Sequence, residues 1–449
     1  MRYERRGFLR TLTGVSAWPL AYSHPVTDSR ATLVAAASQP ADLSPVGMRS
    51  RFPALAQEVG GHPLAYLDNA ATTLRPRAVI DALVRFYEND NANPSSSLHT
   101  LARRAAEAQD AARTRVARFL NASTSQEVIF TRGTTEAINL LAATWGMHEI
   151  RADDEIVVTI AEHASNLFPW QRLAAQTGAR LKVVDVDDDG RLRLDQLATV
   201  LSSRTRLVTV PHVSNVLGVV NPVAEICSLA HRHGAAVFID AAQSAPHLRL
   251  DVQQLGCDFL AFSSHKLLGP MGVGVLWGRA ERLDRMPSYH VGSNMAHGLD
   301  IGSATPEPGA LRFQAGTPNV SGPVGLAAAI DFLDAMGFAR LEAQDSALAA
   351  FGLSRLRAIP GLRVIGSVPP PGRVPVITFT MDGVDVSAIV RAADAAGIAI
   401  RGGDLAALPL LKRFGVSAAA RLSAYFYNTT DELDRLADVL SSMRRTSVR

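Results

Sequence analysis

The chain has 449 residues, 47% of them hydrophobic and 19% charged, a length that suits two domains rather than one core and a composition that excludes a mainly disordered chain. No apolar run reaches the roughly 20 residues of a membrane span, which excludes an integral membrane protein. The net charge of +3 lies entirely within residues 1–23, where Arg2, Arg5, Arg6 and Arg10 face Glu4, and the neutral remainder, with 41 charges of each sign, offers no basic face for nucleic acid.

In chain order, Arg5-Arg6-Gly-Phe-Leu9 followed by the weakly apolar Thr11–Tyr22 predicts a twin-arginine export signal, hence a periplasmic or otherwise exported protein. Cleavage fits near residue 23 or near residue 37, and the leader is rich in Ala, Ser and Pro. Strands are predicted at Val128–Thr131, Glu155–Ile160, Leu181–Val186, Arg206–Val210, Ala236–Asp240, Phe259–Phe262 and Gly272–Trp277. Helices are predicted between several of them, at Thr135–Ala143, Asn166–Gln176, Leu194–Leu201 and Ala224–His233. Strands alternating with helices imply an α/β fold with a mostly parallel central sheet and a ligand site at the strand carboxyl ends. After a Gly- and Pro-rich stretch at Val291–Pro318 the rhythm changes. Strands Val376–Met381, Ala399–Arg401 and Arg421–Tyr427, with helices Ala347–Ala358, Ser387–Ala396 and Asp431–Met443, predict a smaller α+β domain over 337–449, beside a large domain over 51–336 whose first segment packs on the small one.

Lysine is scarce. Lys182, Lys266 and Lys412 are the three among 45 cations, and only lysine among them forms a Schiff base or deprotonates readily. Lys266 follows one predicted strand and Asp240 ends another. Pyridoxal phosphate needs this pair of groups, a lysine for its aldehyde and a carboxylate to keep its ring nitrogen protonated. Arg132-Gly-Thr134-Thr135, between a strand and a helix start, is an anion site in which free helix N–H groups and hydroxyls hold a phosphate. Cys227 and Cys257 read as packed small hydrophobes, and His231 and His233 as caps of a helix end rather than metal ligands.

These segments, together with Tyr66-Leu-Asp-Asn-Ala-Ala71, Glu162-His163, Asn166, Pro169-Trp170, His212-Val-Ser-Asn215 and Phe313-Gln-Ala-Gly-Thr317-Pro-Asn319, resemble the class V aminotransferase family, of fold type I among pyridoxal-phosphate enzymes. The resemblance runs from about Arg51 to the C-terminus and points to the branch of sulfur-mobilising cysteine desulfurases. It implies that Lys266 is the Schiff-base lysine and proton shuttle, that Asp240 pairs with the ring nitrogen, and that Gln243 bonds the phenol oxygen. It implies that His163 stacks on the ring, and that Thr134, Thr135, Ser263 and His265 hold the phosphate. Thr317 then reaches the partner's phosphate in a homodimer. Asn215 and Arg421 grip a substrate carboxylate, and Arg401 lines the same pocket.

The chain departs from that pattern where the family branch carries its nucleophilic cysteine. The segment after Arg401-Gly-Gly403 reads Asp404-Leu405-Ala406, with alanine at the cysteine position and Asp-Leu in place of the usual His-His. Ser95-Ser-Ser97 replaces a His-Arg-Gly run. Alanine cannot take up sulfur as a persulfide. The expectation is therefore an exported pyridoxal-phosphate enzyme acting on an amino acid or peptide-like molecule, as a transaminase or a C–S or β-elimination lyase, with Asp404 and Leu405 shaping its specificity. The alternatives are a desulfurase or selenocysteine lyase-like activity without the cysteine, and a cofactor-loaded protein with impaired catalysis. Ser263-x-x-Lys266 also spells a motif of penicillin-recognising serine enzymes, but Ser263 follows a strand and no Lys-Thr-Gly is present.

Overall fold

The computed structural model describes residues 45–94 and 98–446. The paired arginines, both cleavage positions and Ser95–Ser97 lie outside the described residues. The central sheet has seven strands: β1 (Val128–Thr131), β2 (Glu155–Thr159), β3 (Arg180–Val184), β4 (Thr205–Pro211), β5 (Ala236–Asp240), β6 (Phe259–Ser263) and β7 (Gly274–Gly278). Their spatial order is β1-β7-β6-β5-β4-β2-β3. Only β7 runs against its neighbours β6 and β1; the other pairs are parallel.

Strands β2, β5, β6 and β7 are buried at every residue. That double burial is why they read as continuous apolar runs. Alternate residues serve two cores: Val237, Ile239, Leu260 and Phe262 face one layer, and Phe238, Phe259, Ala261 and Leu276 the other. The covering helices include α1 (Arg77–Asn89), α2 (Thr100–Leu120), α3 (Thr134–Leu141), α4 (Phe168–Thr177), α5 (Leu194–Val200), α6 (Val223–His231) and α7 (Ser321–Met336). α7 packs on α1 and α2. No helix among the described residues is long and apolar enough to cross a membrane.

A second, antiparallel sheet joins β8 (Leu362–Ile365), β9 (Val376–Met381), β10 (Arg401–Gly403) and β11 (Ala419–Ser423) in the order β8-β9-β11-β10. It carries α8 (Phe338–Arg357), α9 (Val386–Ala395) and α10 (Thr430–Thr446). The two sheets meet at Gly218, which sits at φ 70°. A Cβ there would lie 2.7 Å from the Val376 carbonyl oxygen, so only glycine permits the approach.

Four expectations need correction. The strand expected over Ala399–Arg401 is two strands. Ile398–Ala399 pairs in parallel with Ala65–Tyr66, whereas Arg401–Gly403 pairs with β11, so one short segment serves two sheets. The strand expected to reach Tyr427 stops at Ser423, because the Asn428 side chain accepts the Tyr425 N–H at 2.8 Å and turns the chain. Tyr425 and Tyr427 are fully buried without ladder partners, hence their apolar run misleads. The helix expected from Ala347 begins at Phe338. Its charged first half includes buried Asp345, which meets His247 Nδ1 at 2.6 Å. His231 does sit in the last turn of α6, but its ring bonds the Asp258 carboxylate at 2.8 Å rather than capping the helix.

Candidate functional site

Strands β1, β5 and β6 run in the same direction and end on one edge of the sheet, and each delivers a group as soon as its ladder stops. Past β1, Gly133 turns the chain into α3, and the Thr134 N–H donates to Ser263 Oγ at 2.8 Å. The Thr134 and Ser263 hydroxyls lie 2.7 Å apart, and those of Thr135 and Ser165 2.8 Å apart. β7 packs so tightly on this turn that a Cβ on Gly274 would overlap the Gly133 backbone. Hydroxyls and first-turn N–H groups at a helix N-terminus form an anion cradle.

β5 ends in Asp240, whose Oδ1 accepts the Ala242 N–H at 2.9 Å. Burial pushes the Asp240 carboxyl up, opposed by that N–H and by Lys266. β6 ends in Ser263, and a single 3-10 turn, Ser264–Lys266, presents the lysine. Thr72 and Thr73 fix that turn: both hydroxyls donate to the His265 carbonyl, and Thr73 Oγ1 accepts the Leu268 N–H at 2.9 Å. Burial lowers the Lys266 ammonium to about 8; Asp240 opposes the shift, while Arg421 and Arg401 add to it. A buried amine between guanidiniums is thus readily deprotonated.

His163 and His265 both fall to about 4, first through burial and then through the charge of Lys266. His163 Nδ1 accepts the Ser165 N–H at 3.1 Å, so the ring is neutral with its proton on Nε2. Beneath it, buried Glu162 bonds Thr159 and Asn166. Burial holds the Glu162 carboxyl well above the usual range, with Asp240 adding to the shift. Gln243 donates to the Ala70 carbonyl at 2.7 Å, while its buried Oε1 has no partner.

The opposite wall comes from the second sheet. Arg421 in β11 is buried and donates to the Asn215 carbonyl at 3.1 Å and to Asp68 Oδ1 at 3.2 Å. Its pKa falls to about 10 through burial, opposed by Asp68, so it stays charged. Arg401 in β10 forks onto Asp68, with Nη2–Oδ2 at 2.8 Å. Asp68 therefore holds both guanidiniums. The Asn215 amide donates to the Leu405 carbonyl at 2.9 Å and so braces the loop after β10. Arg401, Arg421, Asn215 and Leu405 line one cavity of about 440 Å³ with Lys266, Asp240, His163, Thr134, Thr135, Asp404 and Ala406, and Asp68 stands behind the two guanidiniums.

The structure thus brings together Lys266, Asp240, Gln243, His163, His265, Ser263, Thr134, Thr135, Asn215, Arg401 and Arg421. Thr317 stands apart. Its hydroxyl accepts from Asn93 at 3.1 Å and it lines a different cavity, with Arg132 and His290. Cys227 and Cys257 are buried and line neither cavity; burial pushes the Cys227 thiol up to about 12 and that of Cys257 well above its ordinary value. Sequence reasoning missed Asp68, Thr72, Thr73 and Glu162 as working parts of the site. Asp68 and Glu162 stand inside quoted motifs, so the signal was present without a role attached.

The residues fit pyridoxal phosphate. One end of the cavity holds a cradle for a phosphate, and its wall holds a lysine with a depressed pKa. The buried Asp240 carboxyl is raised by lack of solvation, a cost that a cationic ring N–H offsets. The orphaned Gln243 Oε1 waits for a donor such as a phenol hydroxyl.

The class V aminotransferase family model matches residues 65–436. The chain is 45% identical over 401 residues to a cysteine desulfurase of Synechococcus elongatus, covering 89% of this chain but 64% of that longer protein. It is 44% identical to a probable cysteine desulfurase of Halalkalibacterium halodurans, over 88% of this chain and 97% of the relative. Among solved structures, a cysteine desulfurase of Escherichia coli superposes with a TM-score of 0.82 at 35% identity, over 90% of this chain and 98% of that one. The apo cysteine desulfurase of Thermococcus onnurineus gives 0.81 at 33%, over 88% and 99%. The α/β fold with its mostly parallel central sheet is that of these enzymes.

Proposed function

The chain belongs to the class V aminotransferase family, whose members depend on pyridoxal phosphate, and from that membership we propose that it is a pyridoxal-phosphate enzyme acting on an amino acid or amino-acid-derived molecule, as a transaminase or an elimination lyase rather than a persulfide-forming desulfurase. One observation carries the choice. Ala406, where the family resemblance calls for a thiol, stands on the cavity wall, and both cysteines are buried elsewhere. A methyl group cannot attack sulfur.

When bound, pyridoxal phosphate supplies an aldehyde and a ring that draws negative charge from the substrate α-carbon. The protein's residues do the rest. Arg421 holds the substrate carboxylate through a guanidinium already oriented by Asp68 and the Asn215 carbonyl. Asp240 keeps a negative charge on the cavity wall. His163 presents its Nε2–H as a donor that does not ionise above about pH 4. Lys266 Nζ holds or releases a proton near neutral pH, which suits a general base at the α-carbon. Thr134, Thr135, Ser263 and His265 bind the phosphate.

Thr317 and the N-terminus extend the proposal. Because Thr317 lines another cavity of the same chain, a phosphate contact from it requires a second copy, and we assign it to the partner's site in a homodimer. The paired arginines support export by the twin-arginine route. The names of the relatives favour a second reading, residual desulfuration without the cysteine. Products from cysteine separate the two. No alanine is expected; alanine released together with sulfide overturns the assignment in favour of that second reading.

A further inference from the structure

The loop after β10 is built to hold a charge. Leu405 and Ala406 both adopt left-handed backbone, at φ 53° and 52°, a conformation that non-glycine residues rarely take unless other contacts hold it. Four hydrogen bonds and one buried side chain sustain it. Asp404 Oδ1 accepts the Ala406 N–H at 3.0 Å, and the Ala407 N–H donates to the Asp404 carbonyl at 3.0 Å. The Ala406 carbonyl accepts the Ala164 N–H at 2.7 Å, which ties the loop to the His163 turn. Asn215 holds the Leu405 carbonyl, and the Leu405 side chain is buried in the core. The result is a carboxylate fixed at the cavity wall.

Asp404 has no ion-pair partner among the described residues, although Lys266, Arg401 and Arg421 line the same cavity. Asp240 and Asp404 are the acids lining the cavity, and Asp240 is buried. Arg401, three residues before Asp404 on the same wall, turns its fork to Asp68. The hydrogen bond from the Ala164 N–H to the Ala406 carbonyl sets the Asp404 loop beside the His163 turn, and Asp404 and His163 both line the cavity.

We propose that Asp404 selects substrates whose side chain carries an ammonium or guanidinium group, that is, basic α-amino acids or their peptide-like derivatives. This rests on the assignment of the cavity as the site of a pyridoxal-phosphate enzyme. With the substrate carboxylate on Arg421, a basic side chain meets Asp404, an exposed carboxylate at the edge of a cavity of about 440 Å³, where opposite charges attract and salt screens them. A thiolate or carboxylate side chain meets repulsion, and an aliphatic one leaves the Asp404 charge unpaired.

The test compares near-isosteric amino acids. Lysine, norleucine and glutamate are titrated into the holoenzyme by calorimetry, for the wild type and for Asp404→Asn, with turnover followed in parallel. Asparagine keeps an oxygen for the Ala406 N–H, so the loop persists and the charge alone is lost. Wild type is expected to bind lysine about two- to fivefold more tightly than norleucine, the worth of an exposed ion pair, with glutamate weakest; that preference weakens as salt rises. In Asp404→Asn the lysine-to-norleucine ratio falls toward one. A ratio unchanged by the substitution, a wild type that binds glutamate or norleucine as well as lysine, or no binding of any of the three overturns the proposal. The visible absorbance of lysine-bound cofactor is read separately. Its absence overturns the cofactor assignment, whereas its presence without a basic preference overturns the role of Asp404 alone.

Discussion

The two walls of the cavity are made in different ways. One consists of strand ends: Thr134, Asp240 and Lys266 each stand within three residues of a strand terminus in the central sheet. The other consists of Arg401, Arg421 and the Asp404–Ala407 loop, hung on a smaller sheet and oriented by contacts with distant segments. The first wall carries the residues that the family resemblance implies for the cofactor, and the proposed departure, Asp404-Leu405-Ala406, lies on the second. A group on a rigid strand end serves any chemistry that uses the same cofactor. A loop beside the substrate can be rebuilt without disturbing the sheet, so reaction and specificity diverge there.

The largest test of that contrast is on the strand-end wall. Lys266→Ala is expected to lower turnover by about 10²–10⁴-fold and to abolish the visible absorbance that pyridoxal phosphate acquires in the wild type. Retention of both would break the comparison at its firmest point. On the other wall, Arg421→Leu leaves Asp68 to Arg401 alone and removes the guanidinium proposed to hold the substrate carboxylate. Loss of a hydrogen-bonded charged partner costs binding about 2–5 kcal/mol, so substrate binding is expected to weaken by about thirtyfold or more, while the cofactor absorbance persists. A variant that loses cofactor instead would place Arg421 on the wrong wall.

A smaller effect appears in the pH dependence of Lys266. Burial and the neighbouring guanidiniums disfavour the ammonium, so the neutral amine forms at lower pH than in a free lysine. In cofactor-free protein, labelling of Lys266 by an amine reagent should rise through about pH 8 rather than the ordinary 10.5. Because Arg421 contributes to the depression, Arg421→Leu should move that midpoint upward; an unmoved or lower midpoint would contradict the electrostatic link between the walls. The smallest effect is expected from joint replacement of Cys227 and Cys257 by alanine. Rates with the preferred amino acid should be unchanged, with about 1–2 kcal/mol of stability lost from the core, measured by urea unfolding. A large loss of rate would reinstate a thiol in the chemistry.

Much of the cofactor wall was legible in the sequence because its information is local. An apolar run marks each buried strand, and the polar residue that breaks the run marks its end, as in Phe238-Ile-Asp240 and Phe262-Ser263. Helix limits were less legible. Glu342 and buried Asp345 hid the first half of α8, since the compensating His247 lies 98 residues away. The Tyr425-Phe-Tyr427 run read as strand because burial and β-structure share a composition, and only Asn428 shows why the chain turns.

The sequence alone determined the α/β class, the order of the strands along the chain, the lysine and carboxylate that stand at strand ends, and the alanine at position 406 on which the proposed reaction rests. Each is a matter of residue identity or short-range periodicity. Tertiary structure decided that Asp68 gathers Arg401 and Arg421 from 333 and 353 residues away. It also decided that Asn215 and Ala164 pin a left-handed loop, and that Asp404 on that loop faces the cavity without a paired cation. Charge pairing and loop strain depend on which segments meet in space, and no local pattern in a chain records the partner.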